Sequence, residues 1–210
     1  MWWLDLMLTA AAVVVALALR PWRAVAAGGP PWPWLAWWAA LPALWGVDRF
    51  AQVPLVQPLS GACLLMWMAG WPLAVLGLLP VAAVVTVLAG LSPAEGLHRL
   101  VWLGLVPMTL ALGLGAAIRR WLPNHLFVYI LGRGFFATAI AGSLAGVVSV
   151  VLHGVPGSLQ PGDLMLARFL AAWGDAFLSG MVVAIFVAFR PQWLATYADR
   201  IWLQRGSDPG

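Results

Sequence analysis

Residues 59–91 read LSGACLLMWMAGWPLAVLGLLPVAAVVTVLAGL, an apolar run with no charged residue. As a single helix, this run would extend well beyond the ~30 Å hydrocarbon core of a bilayer. Gly70 and Pro72 lie in its interior, and a glycine and a proline so close together indicate a helix break. The run therefore predicts a short apolar segment, 59–69, followed by a full membrane span, 73–90.

The rest of the chain is equally apolar. Hydrophobic residues make up 63% of the sequence and charged residues 9%, whereas a soluble domain has about 45–50% and about 25%. The further apolar stretches are 2–19, 33–47, 97–118, 126–152 and 164–189. We therefore predict an all-α, polytopic integral membrane helix bundle of about seven spans, one of them short or broken. Gly142 and Gly146 form a G-x-x-x-G spacing that predicts close helix packing.

The arginines orient this predicted bundle, because basic residues favour cytoplasmic loops. Seven crossings with the N-terminus outside leave only Arg49 and Arg99 in outer loops. The inner loops and the C-terminal tail then hold Arg20, Arg23, Arg119, Arg120, Arg190, Arg200 and Arg205. The first apolar stretch, 2–19, has Asp5 near its start, and its arginines, Arg20 and Arg23, come after it, which indicates a retained helix and not a cleaved signal peptide. We predict one transmembrane domain, 1–190, and a short cytoplasmic or interfacial tail, 191–210.

The sequence motifs of several functional classes of protein are absent. The chain contains no lysine, so it has no G-x-x-x-x-G-K-[ST] phosphate loop, and any ATP-driven work requires a separate ATPase subunit. No H-E-x-x-H or G-x-S-x-G motif is present, and we predict that the protein is not an enzyme. The arginines are scattered singly, which argues against nucleic acid as a partner.

The approach to the short segment, 52–61, is polar and interrupted by prolines. Non-helical backbone at membrane depth is tolerated where it lines a cavity, and short interrupted segments point to a transporter's binding site. The alternative is a loop that only dips into the interface. Cys63 and Met66 lie on one helix face there, with Met7 at a comparable depth on the first span, and such soft ligands favour Cu(I). Alternatively, these side chains only fill space.

Three charged residues lie inside apolar spans: Arg133, Arg168 and Asp175. Intramembrane charges are costly and face partners or a cavity. Arg133 is a candidate partner for Asp175, and the three residues either line a polar cavity that binds an anionic group or form a buried ion pair. Asp48 and Arg49, at the outer end of the second span, either gate an outward-facing cavity or are exposed loop charges.

The three histidines divide between the two sides of the predicted membrane. The seven-span topology places His98 and His153 outside and His125 inside, so they cannot form one three-histidine site. His153 and Asp163 bracket an outer loop and are a candidate metal pair. The alternative is that both are solvated loop residues.

One motif set resembles a known family. Pro58-Leu59-Ser60-Gly61, the short apolar segment and the break at Gly70-Trp71-Pro72 resemble the CbiM family, the membrane components of energy-coupling-factor cobalt and nickel transporters. Residues 119–130 are similar to predicted permeases of this type. The resemblance covers roughly residues 40–190, and it implies a seven-span scaffold with the N-terminus outside.

The sequence departs from this family at its metal ligands. The family binds metal through the N-terminal amine, a histidine at the second position and the histidine of S-G-H. Here Trp2 occupies the second position, and Ala62 follows Ser60-Gly61. The resemblance therefore implies the family's scaffold without its imidazole ligands.

From these features we predict a membrane-embedded substrate-binding or permease component of an energy-coupling-factor-type transporter in the inner (plasma) membrane. Partner subunits would energise it, membrane lipid would surround it, a transition metal ion is a candidate substrate, and no bound cofactor is expected. The alternative is a structural or assembly subunit of a membrane complex, with no transported substrate. The candidate substrate-binding residues are Asp48, Arg49, Arg133, Arg168 and Asp175, and the candidate metal ligands are Cys63 and Met66.

Overall fold

The computed structural model describes residues 2–23, 32–51, 57–155 and 160–197. These ranges form helices and connecting turns and contain no strand, which confirms the all-α prediction. Within them, the eight α-helices are α1 (Trp2–Ala18), α2 (Trp32–Trp45), α3 (Val47–Phe50), α4 (Ala62–Ala69), α5 (Trp71–Leu88), α6 (Pro93–Trp121), α7 (Val128–His153) and α8 (Pro161–Phe189).

Four of these helices, α5 to α8, are long and apolar enough to cross a membrane. The outer surface is also apolar. For example, Val151, Phe177 and Phe189 are each more than 60% exposed, whereas Asp5 and Asp175 are buried inside the bundle. Apolar groups outside and acidic groups inside suit a lipid environment, where intramembrane charges face the interior. The helices and this distribution mark the chain as a membrane protein.

The predicted break at Gly70 is present, and a second glycine, Gly61, marks the start of α4. Gly61 precedes α4 with a φ of +63°, and Gly70 separates α4 from α5 with a φ of +85°. Both are conformations that glycine adopts without steric cost. The eight residues of α4 span only about 12 Å. Every side chain from Ala62 to Met68 is buried, so α4 is a short central helix enclosed by the longer ones.

Helices α7 and α8 pack closely along the predicted small-residue face. A Cβ added at Gly142 would lie 2.9 Å from the Cβ of Ala172, and one added at Gly146 would lie 3.1 Å from the Cβ of Arg168. The glycines therefore allow α8 to approach, and they place Arg168 against the backbone of α7.

Two long helices contain a π-helical stretch. In α6 this covers Leu100–Leu105, beginning two residues after His98, and in α7 it covers Val128–Phe136. The wider π-helical turn shifts the residues that follow it around the helix axis, and such insertions are frequent at functional sites.

The first part of the predicted tail packs against the bundle. After α8, residues Pro191–Trp193 form a 3₁₀ turn, and the amide of Ala195 donates a hydrogen bond to the carbonyl of Met68 at 3.1 Å. Residues 191–197 thus cover the C-terminal end of α4. The rest of the predicted tail, with Arg200 and Arg205, lies outside the described residues, as do residues 52–56 of the predicted approach to α4.

Candidate functional site

A polar cavity of about 460 Å³ lies between α1, α6, α7, α8 and the turn before α4. At one end its wall contains the exposed side chains of Trp2 and Glu95. At the other end its wall contains the buried side chains of Ser60, Cys63 and Asp175. The cavity therefore leads from the surface of the bundle to the buried start of α4.

Three side chains from three different helices meet in the cavity wall: Asp5 of α1, His98 of α6 and His153 of α7. The two carboxylate oxygens of Asp5 each face one imidazole, 3.4 Å from Nδ1 of His98 and 3.5 Å from Nε2 of His153. One ligand atom from each residue lies within 4.8 Å of the other two. We call these three residues the Asp–His cluster.

Neighbouring aromatic groups orient the Asp–His cluster. The indole Nε1–H of Trp102 donates a 2.8 Å hydrogen bond to Asp5 Oδ1, and Asp5 is only 2% exposed. The ring of His153 packs edge-on against Trp102 at 5.3 Å and against His98 at 4.7 Å between ring centroids. Within the described ranges, neither ring nitrogen of His153 has a hydrogen-bond partner. Both nitrogen atoms are buried, and buried nitrogens without a hydrogen bond are costly unless something binds them.

This set of ligands is suited to a metal ion. Two imidazoles and one carboxylate are typical of open transition-metal sites, in which three protein ligands leave positions for water or substrate. The hydrogen bond from Trp102 is the kind of outer contact that fixes a ligating carboxylate.

Asp175 holds the turn at the bottom of the cavity. Its carboxylate accepts hydrogen bonds from the amides of Ser60 at 2.7 Å and Gly61 at 3.1 Å. The hydroxyl of Ser60 donates in turn to the carbonyl of Leu103 and accepts from the amide of Ala62 at 3.1 Å. Asp175 therefore ties α8 to the start of α4, and the π-helical stretch of α6 completes the connection.

Asp48 and Arg99 form a bidentate ion pair in the cavity wall. The two guanidinium nitrogens lie 2.8 and 2.6 Å from the two carboxylate oxygens, and Arg99 also donates to the carbonyl of Trp45. The hydrogen bond from Arg99 lowers the pKa of Asp48 below its ordinary value, although partial burial opposes this. Arg49 is half-exposed, lies 3.5 Å from Glu95 and is not part of the cavity wall.

The Asp48–Arg99 pair predicts acid sensitivity. Because folding lowers the pKa of Asp48, the pair's stabilisation is present above the ordinary pKa of about 3.9 and is lost as the pH falls through the lower folded value. We expect Arg99→Gln to reduce the free energy of unfolding by about 1–3 kcal/mol at pH 6. That difference should shrink below about pH 4. Thermal unfolding in detergent from pH 3 to 7 measures this, and a difference independent of pH contradicts it.

Arg168 lies in the cavity wall beside Gly146, two turns along α7 from His153 of the Asp–His cluster. Its Nη1 donates a 2.8 Å hydrogen bond to the carbonyl of Gly146, while its buried Nε has no hydrogen-bond partner. Among the residues whose positions are described, no carboxylate lies within ion-pair distance of Arg168. Arg168 and Asp175 are two helical turns apart on α8 and do not pair.

Arg133 does not pair with Asp175, so that predicted partnership is wrong. The Arg133 guanidinium lies 5.0 Å from the ring centroid of Trp67 and 5.3 Å from that of Tyr129, and it is outside the cavity wall. The carboxylate of Asp175 is bound instead by the two amides of the turn before α4. Cation–π contacts stabilise Arg133 where it is.

The predicted sulfur ligands are only partly brought to the cavity. Cys63 is in the cavity wall, whereas Met66 is fully enclosed in the apolar core. Met7 is 70% exposed on the outer surface of α1. The described part of the cavity wall contains no methionine, so a soft site made from Cys63, Met66 and Met7 is not assembled there.

The histidines behave differently from the predicted pairing. His153 contacts Asp5 and not Asp163, which is exposed at the start of α8 and absent from the cavity wall. His125 is exposed after α6, stacked at 5.6 Å on Phe127. The sequence places His98 and His153 on one side of the predicted membrane, but it gives no indication that Asp5 is their partner.

No protein-family model, curated protein or solved structure matches this chain. The fold and the site define a helical membrane protein with a polar, partly buried cavity. The resemblance to the CbiM family remains a prediction.

Proposed function

We propose that this protein is a membrane-embedded, substrate-binding component of a transporter and that it binds a divalent transition-metal cation at the Asp–His cluster. The observation that carries this proposal is the convergence of three ligand atoms within 4.8 Å in the wall of a cavity that reaches the surface. The unsatisfied nitrogens of His153 support it, because metal binding would satisfy one of them.

The ligand set favours a particular class of cation. Imidazole suits zinc, nickel, iron and copper, whereas magnesium and calcium prefer ligand sets made of oxygen atoms. A site with three protein ligands is also open, unlike the closed four-ligand sites that stabilise folds. An open site in a cavity that leads to the surface suits a cation that is taken up and released.

The surrounding helices favour transport over catalysis. The cavity ends at α4, a short helix set off by Gly61 and Gly70 in the middle of the bundle. Discontinuous helices of this kind form the binding sites of many transporters. The protein is not an enzyme in this proposal, and partner subunits with a separate ATPase supply energy, since the chain has no phosphate loop.

The proposed topology has seven crossings, with the N-terminus outside the inner (plasma) membrane and the C-terminus in the cytoplasm. The distribution of arginines supports it. In this orientation the start of α1, the start of α6 and the end of α7 face outward. The Asp–His cluster therefore meets a cation arriving from outside.

Metal titration of the purified full-length protein tests this function. We expect the wild-type protein to bind Ni²⁺ or Zn²⁺ with 1:1 stoichiometry and to bind no Mg²⁺ or Ca²⁺ at comparable concentrations. His153→Gln should weaken binding by more than about 100-fold, because outer-shell changes alone cost 10- to 100-fold. Isothermal titration and elemental analysis measure this.

The matched control is His125→Gln, which changes a histidine remote from the cavity and should bind as the wild type does. The metal proposal fails if the wild type binds no stoichiometric cation. It also fails if His153→Gln and His125→Gln bind equally well. In either case a structural or assembly role without a transported substrate becomes the better account.

A further inference from the structure

The cavity is far larger than a metal ion requires. One water molecule occupies about 30 Å³ of the liquid, whereas the cavity measures about 460 Å³. That volume falls within the range of about 300–1,000 Å³ of small-molecule sites. The Asp–His cluster occupies one part of the wall, and the rest surrounds space that a bare cation leaves unused.

Arg168 gives this remaining space a positive charge. Its guanidinium has one hydrogen bond to a backbone carbonyl and a buried Nε that remains unsatisfied. In the part of the chain that the structure describes, no carboxylate lies within ion-pair distance of it; of the acids in the wall, Asp48 pairs with Arg99 and Asp175 accepts hydrogen bonds from two backbone amides. A positive charge in the cavity is unfavourable for a bare cation but favourable for an anion. The planar guanidinium also matches a carboxylate, with which it can form two parallel hydrogen bonds.

The Asp–His cluster and Arg168 contact different levels of α7, and both lie in the wall of the same cavity. Arg168 contacts Gly146, which lies two turns before His153 on α7, an axial separation of about 10 Å. One turn beyond Gly146, on the side away from His153, the wall contains the small residues Gly142, Ala171 and Ala172, and Gly142 packs against Ala172. These small side chains leave part of the cavity beside Arg168 open.

We propose that the cavity binds its cation as a complex with a small organic carboxylate and that Arg168 binds a free carboxylate of that ligand. This inference rests on the proposed function, because the Asp–His cluster holds the metal end. Three protein ligands leave positions on the cation for a chelator, and the second anionic group of the chelator reaches inward to Arg168. The complex satisfies both the open coordination sphere and the unpaired guanidinium.

Equilibrium dialysis of the intact protein with Ni²⁺ and radiolabelled citrate tests this proposal. The arms contain Ni²⁺ alone, citrate alone, and both in equimolar amounts. We expect Ni²⁺ to bind alone, citrate to bind poorly alone, and citrate to be retained at 1:1 with Ni²⁺ present. Arg168→Gln should weaken this citrate binding at least about tenfold, the usual effect of losing a hydrogen bond to a charged group.

The variants separate a binding role from a structural one. In Arg168→Gln the positive charge is lost, so Ni²⁺ alone should bind at least as tightly as it does to the wild type, while citrate binding with Ni²⁺ weakens. Arg168→Lys keeps the charge without the planar fork and should weaken citrate binding by a smaller factor. Arg120→Gln, an exposed arginine at the end of α6, should bind as the wild type does.

The outcomes distinguish this inference from the proposed function. If Ni²⁺ binds but citrate is not retained, the cation enters without a carboxylate and only this inference is overturned. If neither binds, the proposed function falls as well. If citrate binds equally well to wild type and to whichever Arg168 variants fold, Arg168 is not the anion-binding residue. If Arg168→Gln no longer binds Ni²⁺, Arg168→Lys decides between a binding role and a structural role for Arg168. An Arg168→Lys protein that still binds Ni²⁺ but binds citrate more weakly supports the proposal. Loss of both Ni²⁺ and citrate binding in Arg168→Lys overturns it.

Discussion

Replacing Asp175 with alanine is expected to reduce the free energy of unfolding by about 3–5 kcal/mol, the largest effect of any single change away from the Asp–His cluster. The carboxylate of Asp175 accepts two hydrogen bonds, from the amides of Ser60 and Gly61, at 2.7 and 3.1 Å. Alanine would leave both amides buried without an acceptor, and each such group costs about 1–3 kcal/mol. The cost is high because Ser60 and Gly61 are buried, and a buried amide without an acceptor carries this desolvation penalty.

Two further variants define the effect. Asp175→Asn keeps one acceptor oxygen of similar size and should lie between wild type and Asp175→Ala. Asp163→Ala removes an exposed aspartate from the same helix and should unfold as the wild type does. Thermal unfolding in one detergent, followed by circular dichroism, measures all four proteins. If Asp175→Ala and Asp163→Ala unfold alike, the two amides of the turn have another acceptor and Asp175 does not fix α4.

Much of the fold followed from local sequence. The charge-poor composition predicted a helical membrane protein, and Gly70 with Pro72 predicted the boundary between α4 and α5, which begins at Trp71. The first signal is a property of the whole composition, and the second acts over a few neighbouring residues. The left-handed conformation of Gly61 was less visible, because it depends on Trp37 and Leu41, whose side chains lie 2.8 Å from where a Cβ would be.

The site was less predictable, because it depends on which helices are neighbours. Asp5, His98 and His153 are far apart in sequence and lie on three helices. Charge placement indicated that both histidines lie at the same level of the bundle, but it carries no information about lateral packing. The π-helical stretch that begins at Leu100 also changes which face of α6 Trp102 occupies, and ordinary helical periodicity does not predict this.

The intramembrane charges illustrate the same limit. Sequence identified Arg133, Arg168 and Asp175 as residues that need an interior environment, and all three are shielded within the bundle. Their contacts could not be deduced, because Arg133 lies against aromatic rings, Arg168 donates to a backbone carbonyl and Asp175 accepts from two backbone amides. A rule that pairs charges with charges overlooks such partners.

Asp5→Asn is expected to weaken binding of Ni²⁺ or Zn²⁺ by more than about 100-fold, because it removes the one anionic ligand of the Asp–His cluster. Asparagine is nearly the same size, and its amide oxygen can still accept the hydrogen bond from Trp102. The variant therefore changes the charge and donor strength of the ligand with little change in packing. Isothermal titration of the full-length protein measures the affinity, and thermal unfolding without metal verifies that the fold is retained.

Trp102→Phe is a second variant whose loss of metal affinity can be compared with that of Asp5→Asn. It keeps an aromatic ring against His153 but removes the indole N–H that orients Asp5. As an outer-shell change it should weaken metal binding by about 10- to 100-fold, less than Asp5→Asn. This order is required if Asp5 binds the cation and Trp102 only positions Asp5. Equal losses in both variants would mean that Asp5 acts through the packing around Trp102, and wild-type affinity in Asp5→Asn would remove Asp5 from the metal site.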